Sequence, residues 1–213
     1  MTRNVALNGE VVNVEAATAL PLVIREVRDG ERRPWQRFVE HHPDATFFHQ
    51  WSYRTVVEES FGHRAHYLVA ERGDEVVGVL PLFEMKSLLF GHSLVSVPFG
   101  VYGGAVADDG GVQAALYGYA QELARDRGVD YLELRYMVDS GLPAPTHDLF
   151  YTFRREISAD HDANLKAIPR KQRRMVRQGE RHGLTYRTGP AELDTVYELY
   201  AESVHRLGTP VYS

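Results

Sequence analysis

The 213-residue sequence contains no cysteine. That excludes disulfides, thiolate metal sites and a cysteine nucleophile, and it fits a reducing compartment. No run approaches the ~20 consecutive apolar residues of a membrane-spanning helix. The first twenty-one residues (MTRNVALNGEVVNVEAATALP) lack the continuous apolar core of a signal peptide, so a cytoplasmic protein with no membrane span is expected. Catalytic signatures are equally sparse. There is no GxSxG elbow for a serine nucleophile, no GxGxxG or Walker loop, and no R/Q-x-x-G-x-G/A loop of the kind that holds the acetyl-CoA pyrophosphate. Ten histidines show no metal-ligand spacing. His63 and His66 are three apart, but Gly62 ends the preceding helix, so they share no helical face and no metal is expected.

What is present is charge of one sign, concentrated in one place. Between Lys166 and His182 there are seven Lys/Arg and a single acid, a net of +6, whereas the whole chain carries −5 and the remainder therefore −11. At 100° per residue, Lys166, Arg170, Arg173, Arg174, Arg177 and Arg181 fall in one stripe about 100° wide, opposite Leu165, Ile168, Met175 and Val176. Lys171 projects about 100° away from Arg170. Six like charges on one stripe repel unless an anion neutralises them. On an acidic protein this points to a specific anionic ligand rather than to DNA. A solvated basic face on a linker helix is the bland alternative.

The rest reads as mixed α/β. Strand residues Val5, Leu7, Val11, Val12 and Val14 precede an apolar run at 20–27. Helices are predicted after Pro34, over Gln50–Phe61 with Gly62 as terminator, and over Val112–Arg127 ending at Gly128. A hairpin turns at Arg72-Gly73-Asp74. Further strands are predicted at His92–Pro98, Tyr131–Tyr136, Phe150–Ile157 and Leu184–Thr188. Pro169 is expected to kink or restart the basic helix, because it cannot donate to the carbonyl of Leu165. A last helix carries the stripe Leu193, Val196, Tyr197, Tyr200, Val204 and Leu207. With only the strand 184–188 beside it, this helix looks like the opening of a second α/β unit whose sheet is missing, and the chain is expected to be truncated.

These residues carry a resemblance. RKQRRMVRQGERHGL, preceded by NLKAIP and followed by LYAESVHRLGTPVYS, resembles the FemAB family, in its branch associated with exosortase and PEP-CTERM surface systems. HQWSYRTVVEESFGHRAHYLVAE, GVLPLFEMKSLLFGHSLVSVPFGVYGGAVADD and GVDYLELRY fit the same pattern in the same order. The resemblance implies two tandem subdomains like the GCN5-related acetyltransferases (GNAT), each a mixed sheet flanked by helices. The expected division is a GNAT-like subdomain at 1–157, the basic helix at 158–182, and the incomplete start of a second subdomain at 183–213. It also implies a transferase, since characterised FemAB relatives move an amino acid from aminoacyl-tRNA onto the peptide of a peptidoglycan precursor; the resemblance does not fix the substrate of this branch.

The candidate substrate-binding residues are Arg170, Lys171, Arg173, Arg174 and Arg177, because guanidinium groups bind phosphate bidentately and stay charged. Tyr102 stands in the glycine-rich stretch Phe99–Gly104, whose backbone amides could approach a carbonyl or phosphate; a plain turn explains that stretch equally well. Gln50 and Tyr53 could hydrogen-bond a ligand, against the reading of a buried Trp51 with a capping neighbour. Glu133 and Arg135 share one face of a strand and read as a cross-sheet ion pair. No catalytic residue is assigned. The expected activity is acyl or aminoacyl transfer to an amine of a phosphate-bearing peptidoglycan or exopolysaccharide precursor, small or lipid-linked. The donor is aminoacyl-tRNA or acyl-CoA, and no cofactor is held tightly. The alternative is a non-catalytic fragment or an anion- or RNA-binding module.

Overall fold

A computed structural model describes residues 6–7, 10–11, 20–28, 30–89, 91–147 and 151–211. The chain divides into two compact units, Met1–Pro143 and Ala144–Ser213. The first opens on a two-rung antiparallel ribbon of β1 (Ala6–Leu7) and β2 (Glu10–Val11). Val5, Val12 and Val14, expected in strands, lie outside the described residues. Then follow β3 (Leu22–Glu26), α1 (Arg32–His41), a 3-10 turn at Phe47–His49, α2 (Trp51–Phe61), β4 (Arg64–Ala65) and β5 (Leu68–Arg72). The unit continues with β6 (Glu75–Leu80), β7 (Phe83–Ser87), β8 (Gly91–Ser96), β9 (Val106–Ala107), α3 (Gly110–Arg127) and β10 (Tyr131–Leu134).

These strands form two four-stranded sheets, ordered β3-β5-β6-β9 and β10-β8-β7-β4. Every pair is antiparallel except β8 with β10, whose crossover includes α3. Two stretches change sheet midway, at His66–Tyr67 between β4 and β5 and at Pro81–Leu82 between β6 and β7. Pro81 has no N–H for a ladder, so the second arm of the expected hairpin breaks there into two strands. The His66 amide donates to the carbonyl of Leu82 at 2.7 Å and holds the two crossings side by side. The hairpin turn itself stands where predicted, with Gly73 at φ +63°.

Alternation along the strands divides the core between the two faces. Tyr67, Val79 and Phe83 pack with Trp35 and Val39 of α1 and with Tyr53 and Val57 of α2. Leu68, Leu80, Leu82 and Leu94 pack with Val112, Leu116 and Ala120 of α3. Helix α3 sits close to its sheet because Gly78 has no side chain; a Cβ there would stand 2.7 Å from a Val112 methyl.

The second unit holds α4 (His161–Ala167), α5 (Arg170–Arg181), a 3-10 turn at Pro190–Glu192 and α6 (Leu193–Arg206). None of its described residues is buried. Neither strand expected in this part of the sequence forms among the described residues. Residues 151–157 and 184–188 are in no strand among the described residues, and Phe153, Ile157 and Tyr186 are almost fully exposed. Phe150 lies outside the described residues. A strand needs a neighbouring edge to satisfy its amides. Among the described residues no helix is long and apolar enough to cross a membrane.

Candidate functional site

The basic segment folds as two helices, not one. Ile168 and Pro169 are extended, with ψ of 137° and 146°, and the Arg173 amide makes the first bond of α5 to the Pro169 carbonyl at 3.0 Å. Lys166 therefore belongs to α4 and leaves the stripe. From Arg170 onward the helical period holds. Arg170, Arg173, Arg174, Arg177 and Arg181 line one concavity of about 680 Å³ together with Glu180. Lys171 is not among the lining residues. Met175 and Val176, on the other side, are 63% and 43% exposed, so the face expected to be buried is open.

A single acid, Glu180, stands among these arginines. The first turn of α5 contains no acid, so Arg170 and Arg173 add to the positive end of the helix dipole instead of offsetting it. Among the described residues no carboxylate lies within ion-pair distance of Arg170, Lys171, Arg173, Arg174 or Arg177. The Nε of Arg173 is shielded from solvent and has no hydrogen-bond partner among the described residues. The Nε of Arg181 donates to the backbone carbonyl of Arg177 at 3.2 Å, which holds the Arg181 side chain against its own helix. The result is a multidentate set of free donors suited to phosphate oxygens.

The remaining predicted residues meet in the first unit, where the start of α2 abuts the 97–104 loop. Tyr53 is buried and its hydroxyl donates to the Pro98 carbonyl at 2.5 Å. Gln50 caps α2, and its side-chain carbonyl accepts from the Gln36 amide, while the Gln36 carbonyl accepts from the Trp51 backbone at 3.0 Å. The Tyr102 hydroxyl is shielded from solvent with no partner among the described residues, and the Tyr102 carbonyl accepts from Thr46 Oγ1 at 2.7 Å. Two amides of the glycine stretch are already engaged: Gly103 and Gly104 both donate to the Arg135 carbonyl, at 3.0 and 2.8 Å. Arg135 also donates from its guanidinium to the carbonyls of Val97 and Gly100, and its Nε bonds Glu133 at 2.6 Å. The expected cross-sheet pair is thus a pair along one strand, because residues two apart share a face.

Sequence reasoning missed two groups. His49, buried, accepts at Nδ1 from the Thr46 amide at 3.0 Å and donates from Nε2 to the Gly104 carbonyl at 2.8 Å. Burial, against the pull of those two backbone partners, lowers its pKa and favours this neutral form. The spacing Thr46-x-x-His49 is a capping box with His in the place of Glu or Gln, a signal the sequence did contain. The second group centres on Glu84. Its carboxylate bonds His66 Nε2 at 3.2 Å, His92 Nε2 at 2.7 Å and Lys86 Nζ at 2.9 Å, while His66 Nδ1 faces Glu26 at 3.0 Å. Among the described residues no cluster is arranged to hold a metal ion.

No family model matches the sequence, and no curated protein matches it. Several solved structures match, two of them remotely. A transcriptional regulator from Bacillus halodurans C-125 has a TM-score of 0.40 and 18% identity over 62% of this chain and 100% of its own. A GNAT family acetyltransferase from Staphylococcus aureus has a TM-score of 0.41 and 10% identity over 63% of this chain and 100% of its own. FemX superposes with a TM-score of 0.57 over 89% of this chain, at 19% identity. The chain spans about half of FemX, 51% of its length. What it shares with FemX is the fold, the GNAT-like mixed α/β architecture that the sequence predicts.

Proposed function

We propose that the chain is part of an acyl- or aminoacyl-transferase that modifies an amine on a phosphate-bearing cell-envelope precursor. The observation that carries this reading is the arginine group of α5, which lines one concavity with a single acid, Glu180, among five arginines. Motif resemblance to the FemAB family and likeness of fold to FemX support the transferase class. The finer assignment, to the exosortase and PEP-CTERM branch, rests on the sequence motifs alone. In this chemistry the amine nitrogen attacks the carbonyl of an ester or thioester. The new C–N bond forms, the C–O or C–S bond to the donor breaks, and a proton leaves the nitrogen. Such a reaction needs both partners oriented and the oxyanion stabilised, with no nucleophile from the protein. Aminoacyl-tRNA and acyl-CoA are the donors that fit, and the arginines would hold the phosphates of a precursor or of tRNA.

The test compares the full chain with the double variant Arg173→Ala/Arg177→Ala for binding of UDP-linked precursor and of aminoacyl-tRNA. Loss of two multidentate phosphate contacts is expected to weaken one of the two ligands by at least about 10-fold. Equal affinities for both proteins would end the site assignment. A second reading, an RNA- or anion-binding module without catalysis, is favoured by the confinement of these arginines to a single helix. Transfer of a labelled acyl group to the precursor amine separates the two.

A further inference from the structure

Helix α5 is short of what ordinarily holds a helix together. Most helical stability in a protein comes from packing of one face, and isolated helices shorter than ~12–15 residues are marginal in water. This one has twelve residues, none of them buried, and among the described residues no other helix or strand packs along it. Its N-cap, Pro169, offers no side-chain bond to the first turn, and Gly179 stands within it. Like charges meet at helical spacing: Arg170 with Arg173 and Arg174, and Arg177 with Arg173, Arg174 and Arg181. The acid Glu180 follows Arg177 by three residues, the less favourable order for such a pair. The last turn is better placed, because Arg181 meets the negative end of the dipole and donates to the Arg177 carbonyl.

We propose that formation of α5 is coupled to anion binding: phosphates on the arginines supply the stabilisation that packing does not. The helical form gathers Arg170, Arg173, Arg174, Arg177 and Arg181 around one concavity. An extended or collapsed segment would scatter them, since residues three, four and seven apart share a side only in a helix. An anion seated there turns each repulsive spacing into attraction to a common partner. It therefore binds the helix and not the unfolded segment, and mass action draws the segment into the helix. Apparent affinity is lowered by the fraction of chains in which α5 is formed. One phosphate meets too few arginines to hold the helix, whereas a ligand with several does, so the coupling favours polyphosphate ligands. The inference rests on the reading of α5 as a phosphate site and adds a switch to it.

The experiment is hydrogen exchange of the full chain, read by mass spectrometry on peptides spanning 170–181, without ligand, with inorganic pyrophosphate and with tRNA. Calorimetry measures the binding of each probe in parallel. Without ligand, exchange is expected to be close to that of an unfolded segment, and saturation with at least one probe to slow it by at least about 10-fold. Arg173→Ala/Arg177→Ala is expected to exchange more slowly than wild type without ligand, by roughly 2- to 5-fold, because alanine removes the repulsion and favours the helix. The same variant is expected to show no further slowing when either probe is added. Binding of a probe with no change in exchange would overturn the coupling and leave the phosphate reading standing. Binding of neither probe would remove both. The proposal also fails if sodium chloride at matched ionic strength slows exchange as much as the probes do, or if the double variant responds to them as the wild type does.

Discussion

Two buried side chains dominate the expected response of the first unit to pH and to substitution. Burial alone would raise the Glu84 pKa, but the hydrogen bonds from Lys86, His66 and His92 outweigh it and hold the carboxyl down at about 2 against an ordinary 4.5. As pH falls, the unfolded chain takes up this proton first. The stabilisation is therefore complete above about pH 4.5 and is lost on the way down to about 2, on the order of 3 kcal/mol in all. Glu84→Gln is expected to lower stability at pH 7 by about 2–4 kcal/mol, since it replaces the charged acceptor shared by His66, His92 and Lys86 with a neutral amide. It is also expected to flatten the acid limb of the stability curve. Urea unfolding of both proteins between pH 2 and 7 reads both effects, and parallel acid limbs would show that Glu84 is not the group responsible. His49 offers a different test. His49→Ala removes a bond to Thr46 and one to Gly104 from a buried position, at about 2–4 kcal/mol. His49→Gln, the usual residue of a capping box, is expected to cost less. If alanine and glutamine cost the same, the ring fills space and its two hydrogen bonds contribute nothing measurable.

At the scale of elements, the break between α4 and α5 has one local cause. Proline removes the amide that would bond the Leu165 carbonyl and pushes Ile168 into an extended conformation. Pro169→Ala is expected to join the helices, given the ~3 kcal/mol advantage of alanine at a helix interior. Far-ultraviolet circular dichroism should then rise by about two to four helical residues, and Lys166 should return to the arginine stripe. Unchanged helicity would mean that contacts other than the proline hold the break open. The same elements show what a sequence reveals. Helices α2 and α3 and the β5–β6 turn were legible because Gly62, Gly73 and Gly128 punctuate them with positive φ. The arginine set was legible because it obeys a local period. The division of one hairpin arm between two sheets was not, since it depends on strands distant in the chain. Residues 151–157 and 184–188 had strand-like residue types, yet neither segment is in a strand among the described residues. The Gly104 partner of His49 and the His66 and His92 partners of Glu84 lie 55, 18 and 8 residues away, beyond the reach of a local pattern, although the Thr46-x-x-His49 spacing was there to read.

The whole molecule sets a condition on any polyanion that reaches α5. The chain is −5 overall, with +6 confined to 166–182, so the remaining −11 repels the ligand that the arginines attract. Attraction at contact and repulsion at a distance are screened differently: salt weakens both, but releases counterions only where phosphates are neutralised. If five arginines each neutralise one phosphate of an RNA, log K should fall against log salt with a slope of about −3 to −5. Arg173→Ala/Arg177→Ala should reduce that slope by about 1.4 to 1.8 as two contacts disappear. A compact diphosphate can occupy only two or three of the arginines and would give a slope nearer −1 to −2. Titrations of a tRNA and of a UDP-linked precursor between 50 and 200 mM salt therefore separate the two ligands by slope, whatever their absolute affinities. A slope near zero for both would mean that the arginines meet water, not phosphate, and that α5 is a solvated helix.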